Sequence, residues 1–187
     1  MQIERRVREI LDSEAEAIKA VSINASYAKA VKFIENCKGK IITTGMGKAG
    51  FVAHKFAAIL SSTATPAVFI HPAEAAHGDL GTLAPGDCIV AFSTSGKTRE
   101  VIEFIQLSRR MNIGSVIGIT SHTDSGLREL SDVTINMGVI KEPCPLGMTP
   151  TASMAVMAAI GDALALVLME KKSVTREEYG MRHHGGY

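Results

Sequence analysis

The sequence has few cysteines and no excess of charge of either sign. Its 187 residues contain three cysteines, Cys37, Cys88 and Cys144, which are far apart and form no CxxC pair. This pattern predicts neither a disulfide framework nor a structural zinc site, and it favours a reducing cytoplasm. The formal net charge is +1. Such a balance gives no sign of a nucleic-acid or membrane-surface partner.

Long apolar runs are also missing. The first eleven residues carry several charges and no apolar h-region, so we do not expect a signal peptide. The most apolar stretch, 154–169, is interrupted by Gly161 and Asp162 and is shorter than the ~20 residues that a membrane span needs. We predict that it is a helix buried in a core or a subunit interface. A soluble protein with a single core is therefore expected.

What the sequence does contain is an alternation of helical and strand patterns. Apolar residues recur at three- and four-residue spacings over 3–36, which predicts a helical arm. The short apolar runs predicted as strands are 40–44, 66–70, 87–92, 115–119 and 133–137. Thr149 is the predicted N-cap of the last long helix, with Pro150 in its first turn. Strands that alternate with helices are typical of a parallel sheet covered on both faces.

The expected fold class is α/β: a three-layer, doubly wound sandwich of the flavodoxin-like type, with a five-stranded parallel sheet and an N-terminal helical arm. The whole chain, 1–187, is assigned to one domain. Within it, 1–38 form the arm, 39–170 the α/β core and 171–187 a C-terminal helix and tail. Ligands of such sheets bind beyond the carboxyl ends of the strands, so the loops at that edge are the candidates for function.

Two of those loops end at a helix N-terminus, where free backbone N–H groups favour an anion. The loop 93–98 combines the hydroxyls of Ser93, Ser95 and Thr98 with a glycine, and Lys97 adds charge. These features favour a site for one phosphate group. Hydroxyl-rich turns also serve simply as helix caps, which is the alternative.

The other loop, 44–48, resembles two nucleotide motifs and fits neither. Gly45, Gly47 and Gly50 have the spacing of the dinucleotide fingerprint. That fingerprint requires an acidic residue at the end of the second strand, about twenty residues on, and none stands there. A Walker A lysine is followed by Ser or Thr, whereas Lys48 is followed by alanine. We therefore exclude both nucleotide sites.

The segment 71–79 places two histidines and two acidic residues close together. A metal site would need a third ligand at a standard spacing, and none is evident. We favour hydrogen bonding of His71 and His77 to a polyhydroxylated ligand, with a non-essential metal at His71 as an alternative. Glu74 and Asp79 are equally consistent with acids that cap a helix.

Two more segments carry candidate residues near the end of the chain. Glu142 lies in a stretch whose two prolines fix its path, so its side chain is expected to be held in place. Cys144 has no obvious activating partner and is predicted to be a packing residue. His183 and His184 come just before the C-terminus, where a frayed polar tail is the simplest expectation from the residues alone.

Together these segments resemble the sugar isomerase (SIS) domain family, and within it the D-arabinose-5-phosphate isomerases. The resemblance runs over nearly the whole chain. Its motifs are GMGKAG at 45–50, HPAEAAHGDLG at 71–81, STSG at 93–96, KEPCPLG at 141–147, GDALA at 161–165 and HHGG at 183–186. The HPAEAAHGD run is highly specific.

This resemblance implies interconversion of D-ribulose 5-phosphate and D-arabinose 5-phosphate, the first step of Kdo (lipopolysaccharide) biosynthesis. The residues that match the family's catalytic positions are Lys48, Glu100, Glu142 and His183. The full set of substrate-binding residues that we predict is Gly45, Thr65, His71, His77, Ser93, Thr94, Ser95 and Thr98. The resemblance further implies a cytoplasmic homotetramer with shared active sites, in which His183 reaches a neighbouring subunit. No cofactor is expected to be required.

The sequence departs from the family pattern in several places. A tandem CBS regulatory module commonly follows this domain, and 1–187 contain none, so feedback is expected to act on the SIS domain itself. CMP-Kdo is the expected inhibitor, as a competing acidic ligand. Lys97 stands where Glu is usual, Thr94 replaces Asn, His184 replaces Pro and Ala49 replaces Ser. We expect these changes to retune affinity and to leave the catalytic positions intact.

Aldose–ketose isomerisation moves a proton between adjacent carbons through an enediol. It needs a base, a group that stabilises the oxyanion and an anchor for the substrate, which is expected to be the 93–98 loop. Glu142 is the expected base, with burial raising its pKa toward working pH, and Lys48 would stabilise the enediolate oxygen. His183 would open the sugar ring or shuttle the proton. Glu100 would orient Lys48 or share the role of base.

Two other functions stay open at this point. A SIS domain can sense a sugar phosphate and regulate a partner, although no DNA-binding extension or basic stripe is visible in the sequence. An isomerase of the same fold could instead act on a hexulose 6-phosphate. That difference depends on pocket size, which one sequence does not determine.

Overall fold

Five short strands pair in parallel in the computed structural model, which describes residues 2–186. The strands are β1 (Ile41–Gly45), β2 (Ala67–Phe69), β3 (Cys88–Phe92), β4 (Ser115–Thr120) and β5 (Val133–Asn136). Their order in the sheet is β2-β1-β3-β4-β5, the flavodoxin-like order. The strand order therefore reverses direction between β1 and β3. The predicted fold class is confirmed.

Helices cover both faces of this sheet. They are α1 (Ile3–Lys19), α2 (Ala25–Glu35), α3 (Lys48–Ser62), α4 (Pro72–Ala75), α5 (Arg99–Arg109), α6 (Gly126–Leu130), α7 (Ala152–Lys171) and α8 (Arg176–Arg182). Short 3-10 helices lie at Asp79–Thr82 and His184–Gly186. The predicted helical arm is thus a pair of helices, α1 and α2, separated by residues 20–24.

Two apolar layers hold the helices against the sheet. One lies on the side of α2, α3 and α7 and buries Phe56, Phe92 and Leu164. The other lies under α4, α5 and α6 and buries Phe104 and Leu127. Strands β1 and β3 are buried along their whole length. That burial explains why β3 is a continuous apolar run, and why the hydroxyls of Thr43 and Thr44 in β1 donate to the carbonyl oxygens of Ala53 and Ile70.

Helix α7 has the length and composition of a membrane span, with 20 residues from Ala152 to Lys171. Half of its most apolar window is buried inside the fold, where it packs against α1, α2 and α3. A helix that is covered on several sides by other helices is apolar nearly all round for reasons of packing. This agrees with the prediction of a buried core helix.

A buried carboxylate fastens the amino ends of the strands. Asp87 is fully buried and accepts hydrogen bonds from the backbone N–H groups of Lys40 (2.9 Å) and Ala84 (2.8 Å). The ammonium group of Lys40 lies 2.7 Å from its second oxygen. Burial alone would raise the pKa of Asp87, but these bonds outweigh it and lower the pKa below the ordinary 3.8. The carboxylate therefore ties the start of β1 to the start of β3.

Candidate functional site

A cavity of about 620 Å³ opens at the carboxyl ends of β1, β3 and β4. This is the edge of the sheet where the strand order reverses, and ligands of doubly wound sheets bind at that point. The predicted site residues that line the cavity are Lys48, Ser93, Thr94, Ser95, Thr98 and Glu142. They come from the start of α3, the loop after β3 and the segment before α7. The fold therefore gathers three of the motifs that the sequence singled out.

Three further polar residues line the same cavity and were missed by the sequence analysis. Ser121 and His122 follow β4, and Ser153 lies in the first turn of α7. None of them belongs to a motif. A signal for the first two existed: parallel strands end at the same edge, so the residues after β4 were bound to lie beside the loop after β3.

The loop after β3 is closed by its own hydroxyl groups. Ser93 Oγ lies 2.8 Å from Thr98 Oγ1 and accepts the N–H of Gly96 at 3.1 Å. Gly96 has a φ of +63°, and a Cβ there would lie 2.1 Å from Ser125 Oγ, so this position requires glycine. The loop leads directly into α5, whose first N–H groups have no partner within the helix. This location favours a bound anion.

Lys97 does not contribute charge to the cavity, contrary to the prediction. Its side chain is exposed and lines a separate surface groove with Arg99 and Glu103. It lies on the outer side of a turn whose inner side is the buried Gly96. Within one protomer the lysine is therefore not among the described residues that line the main cavity.

Glu142 caps helix α7 from outside the helix. Its Oε2 accepts the N–H groups of Thr151 (2.8 Å) and Ala152 (2.9 Å), and its Oε1 accepts that of Ser153 (3.1 Å). The N-cap residue is accordingly Thr151 and not the predicted Thr149. A carboxylate at a helix N-terminus is stabilised by the free N–H groups and by the helix dipole. This contact spans about ten residues of irregular chain, so no local pattern reveals it.

These contacts shift the pKa of Glu142 in the direction opposite to the prediction. Partial burial would raise its pKa, but the nearby Ser153 hydroxyl and the three backbone N–H groups outweigh burial and lower the pKa below the ordinary 4.5. The Ser153 hydroxyl acts by its proximity, since within residues 2–186 it has no hydrogen-bond partner of good geometry. The carboxylate is therefore ionised at neutral pH and held in one orientation. The predicted rise in the pKa of Glu142 is wrong.

Two unpartnered hydroxyl groups belong to residues that line the same cavity as this carboxylate. Ser153 is only 2% exposed, and the Oγ atoms of Ser153 and Ser121 are both buried without a hydrogen-bond partner in the described part of the chain. A buried hydroxyl left unpaired costs about 1–3 kcal/mol. Because both residues line the cavity, a polar ligand is the partner that would remove this cost.

Glu100 and His77 line a different cavity. It has a volume of about 260 Å³ and lies between α4 and α5, with Pro72 and Phe104 in its walls. The sequence left the roles of Glu100 and Glu142 unseparated. In the part of the chain that the structure describes, Glu142 lines the main cavity and Glu100 does not.

His183 lies toward the opposite end of α3 from Lys48. Its ring stacks on that of Tyr179, with centroids 5.3 Å apart, and it lines a groove with Lys55 and Ile59. Lys48 begins α3, and Ile59 is about eleven residues further along the helix, or ~16 Å. Within one protomer His183 is therefore remote from the main cavity. Its role in the active site of a neighbouring subunit stays a prediction.

Gly45 and Thr65 lie at opposite edges of the sheet. Gly45 ends β1, and a Cβ there would lie 2.9 Å from the carbonyl oxygen of Ala49, so glycine allows α3 to begin close to the strand. Thr65 precedes β2, and its Oγ1 accepts a hydrogen bond from Lys172 Nζ at 2.8 Å. Since β2 runs parallel to β1, Thr65 is at the amino edge, away from the cavity. Within one protomer Thr65 is therefore remote from the main cavity, and its role as a substrate contact stays a prediction.

His71 follows β2 at the carboxyl edge. Its ring packs edge-on against Phe69, with centroids 6.4 Å apart, and its Nδ1 is buried without a partner among the described residues. Over residues 2–186, no three His, Cys, Asp or Glu side chains converge as a metal site. A metal at His71 therefore stays a prediction.

Cys144 differs from the other cysteines. Its Sγ accepts the backbone N–H groups of Thr149 and Met148, each at 3.1 Å, and these bonds lower the pKa of the thiol to about 7. In contrast, burial raises the pKa of Cys88 to about 12. Cys144 thus has two backbone N–H donors that favour its thiolate, which the sequence analysis did not identify.

Known proteins are similar to this chain in sequence. The SIS domain profile matches residues 33–167. Arabinose 5-phosphate isomerase KdsD of Shigella flexneri is 39% identical over 181 residues, which cover 96% of this chain and 55% of that protein. The chain therefore spans about half the length of the curated relatives that it matches.

Two solved structures match over almost the full length of both chains. A Bacteroides fragilis protein, described as a candidate phosphosugar isomerase involved in capsule formation, is 44% identical, with a TM-score of 0.95 and 99% of each chain covered. Protein c3406 of Escherichia coli CFT073, solved in complex with arabinose 5-phosphate, is 34% identical, with a TM-score of 0.93 and 97% of each chain covered. Sequence profile and structure agree, and the chain belongs to the SIS domain family.

Proposed function

We propose that the protein is an aldose–ketose isomerase that interconverts D-ribulose 5-phosphate and D-arabinose 5-phosphate, the first step of Kdo biosynthesis. One observation carries the proposal: the anion loop 93–98, Lys48 and the helix-bound carboxylate of Glu142 line a single cavity. These are the anchor, the oxyanion-stabilising group and the base that the reaction needs. The relatives named arabinose 5-phosphate isomerase, and the sugar-phosphate complex of c3406, support this choice of substrate.

In the proposed mechanism the 93–98 loop holds the phosphate and thereby orients the reacting carbons. Glu142 removes the proton from the carbon that bears a hydroxyl next to the carbonyl and returns it to the former carbonyl carbon, while the hydroxyl proton passes between the two oxygens. Lys48 stabilises the enediolate oxygen. Because the pKa of Glu142 is lowered, it is a weak base. Stabilisation by Lys48 therefore carries a large share of the rate enhancement.

We propose that the working form is a homo-oligomer, a tetramer, with shared active sites. Helix α1 bears an apolar stripe, Ile3, Val7, Leu11 and Ile18, that is exposed in the single chain. Such a stripe on an amphipathic helix suits burial against another copy. Oligomerisation would bring His183 from one protomer to the cavity of the next, and it would do the same for Glu100 and His77, which line the cavity between α4 and α5.

Mixing two inactive variants tests the shared sites. Glu142→Gln and His183→Ala are each expected to lose activity. When the two proteins exchange subunits, some cavities contain both an intact Glu142 and an intact His183, so a measurable part of the turnover should return. Exchange without any recovery would show that the two residues do not act together across subunits.

The function itself is tested by proton NMR in deuterated water. The protein is mixed with D-ribulose 5-phosphate in the presence of EDTA, with fructose 6-phosphate as the comparison substrate. Formation of arabinose 5-phosphate with deuterium at the transferred carbon supports a metal-independent isomerase without a cofactor. Faster turnover of the hexulose phosphate would favour an isomerase that acts on hexulose 6-phosphates. Ligand protection without turnover of either sugar would instead favour a sugar-phosphate sensor.

We further propose a cytoplasmic location, in accord with the free state of Cys37, Cys88 and Cys144. Regulation would act at the cavity itself, with CMP-Kdo as a competing acidic ligand. An assay in which saturating CMP-Kdo leaves the rate unchanged would contradict this mode of feedback.

A further inference from the structure

The main cavity has little positive charge for a ligand that carries a phosphate dianion. Among the described residues that line it, Lys48 and His122 are the two side chains able to carry a positive charge, and Glu142 is negative. Lys97, the cation that the sequence assigned to the phosphate, lines a separate groove. Within the described chain, the cationic side chains available at this cavity are therefore Lys48, already assigned to the enediolate oxygen, and His122.

His122 is fixed against the phosphate loop. Its Nδ1 lies 3.0 Å from the carbonyl oxygen of Thr94. Because a carbonyl oxygen only accepts, Nδ1 carries the proton and Nε2 is the free nitrogen of the ring. The backbone of His122 is held as well, since its N–H donates to Thr120 Oγ1 (3.1 Å) and its carbonyl oxygen accepts from Ser125 Oγ (2.8 Å). Position and tautomer are thus both set by the fold.

The residue beside it points to a polar ligand independently. The N–H of Ser121 donates to the same Thr94 carbonyl at 3.0 Å, while its Oγ is buried without a partner in residues 2–186. Thr120 Oγ1 also donates to that carbonyl, at 3.1 Å. Three donors from one turn therefore lock it to the loop, and the turn still presents an unused hydroxyl and an imidazole among the residues that line the cavity.

We propose that His122 binds the phosphate group through Nε2, in the role that the sequence assigned to Lys97. In the imidazolium form both ring nitrogens donate, Nδ1 to Thr94 and Nε2 to a phosphate oxygen, which makes a charge-assisted hydrogen bond. The identity of the sugar rests on the proposed function, but the binding of a phosphate group by His122 does not depend on it. The role is one of binding, so it changes affinity and KM more than kcat.

Calorimetric titration of the full chain with inorganic phosphate and with D-arabinose 5-phosphate tests the proposal. His122→Asn keeps an amide N–H near Nδ1 for Thr94 but has no atom at the position of Nε2. His122→Gln extends its amide to that position, and Lys97→Met removes the neighbouring charge as the matched control. We expect His122→Asn to weaken both ligands by about 5- to 20-fold, His122→Gln, which restores the hydrogen bond but not the charge, to weaken them less than His122→Asn, and Lys97→Met to stay within about twofold of wild type.

The opposite order of the two His122 variants would overturn the proposal. If the ring only anchors the turn, His122→Asn binds phosphate like wild type and His122→Gln binds it weakly. A larger loss in Lys97→Met than in His122→Asn would overturn it too, because the charge would then belong to Lys97. Phosphate binding requires no turnover. A protein that isomerises no sugar but binds phosphate through His122 would therefore contradict the proposed function and support this inference.

Discussion

The two edges of the sheet use the same contact for different purposes. At the amino edge Asp87 accepts two backbone N–H groups and a lysine, and at the carboxyl edge Glu142 accepts three backbone N–H groups. The pKa of each carboxylate is lowered because these hydrogen bonds outweigh burial. Asp87, however, is sealed inside the fold, whereas Glu142 lines a cavity.

The difference lies in what surrounds each carboxylate. The donors around Asp87 belong to the fold itself and are bound to it. Around Glu142, the hydroxyls of Ser121, Thr151 and Ser153 are buried without a partner among residues 2–186. Unpaired buried hydroxyls cost stability, so a fold keeps them chiefly where a ligand completes them. The donors around Asp87 are thus satisfied within the fold, whereas several hydroxyl groups near the cavity are not; unpartnered hydroxyls in the described chain also occur away from the cavity, at Ser26, Tyr27 and Thr134.

The largest expected effect comes from Glu142→Gln. The amide keeps the size of the side chain, and its oxygen still accepts N–H groups of α7, although its NH₂ group cannot replace the second carboxylate oxygen. Because the amide does not take up a proton, kcat should fall by about 10²- to 10⁴-fold. Steady-state kinetics would measure this loss. The matched control is Asp87→Asn at the other edge, which should leave kcat unchanged. Near wild-type turnover of Glu142→Gln would show that another group is the base.

Asp87→Ala should have the opposite effect to Glu142→Gln: it should lower stability and leave turnover unchanged. It leaves two backbone N–H groups and the Lys40 ammonium without their acceptor, so the free energy of unfolding should fall by about 2–4 kcal/mol. Urea denaturation measures the loss, and the kinetics of the folded enzyme should keep their wild-type values. A variant of normal stability and impaired turnover would remove the distinction between the two edges.

Ser93→Ala is expected to act on binding. Ser93 Oγ, paired with Thr98 Oγ1, belongs to the anion loop, so its loss should raise KM by about 5- to 20-fold and change kcat by less than about threefold. Ser108→Ala on helix α5 is the matched control, because that buried hydroxyl donates only to the Phe104 carbonyl within the described chain. Equal KM values for the two variants would argue against a ligand at the loop.

The smallest effect concerns acidic pH. A carboxylate whose pKa is lowered by folding contributes stability above its unfolded pKa and loses that contribution as pH falls through the folded pKa. The acid limb of kcat/KM should therefore lie below pH 4.5, the ordinary pKa of a glutamate such as Glu142. The stability that Asp87 contributes should be lost below pH 3.8, its ordinary pKa. Rates and melting temperatures between about pH 3 and pH 7 would test both. An acid limb above pH 5 would mean that burial dominates at Glu142.

The sequence was sufficient for the elements whose signal is local. Apolar runs such as 88–92 become strands because both of their faces are covered, and the hydroxyl of Ser93 closes the turn of 93–98 with groups a few residues away. The alternation of strands and helices then leaves few topologies, and the edge at which ligands bind follows from the parallel strands. Fold class and the location of the site were predictable for these reasons.

What the sequence did not reveal depends on contacts between distant segments. The low pKa of Glu142 needs the N-terminus of α7 to meet a carboxylate that precedes it by an irregular stretch. The outward side chain of Lys97 depends on the direction of one turn, and the position of His122 on the packing of two loops. Pairwise geometry of this kind has no periodicity that a linear pattern could display.

The occupied N-terminus of α7 has a consequence for inhibitor chemistry. Three helices, α3, α5 and α7, begin at the cavity, and a bisphosphate could be designed to span the N-termini of α5 and α7. The N–H groups of α7 are already taken by Glu142, so a second phosphate there would meet a carboxylate of its own sign. Compounds with one phosphate and a neutral, hydroxyl-rich tail that pairs with Ser121 and Ser153 should therefore bind more tightly per atom than doubly anionic ones.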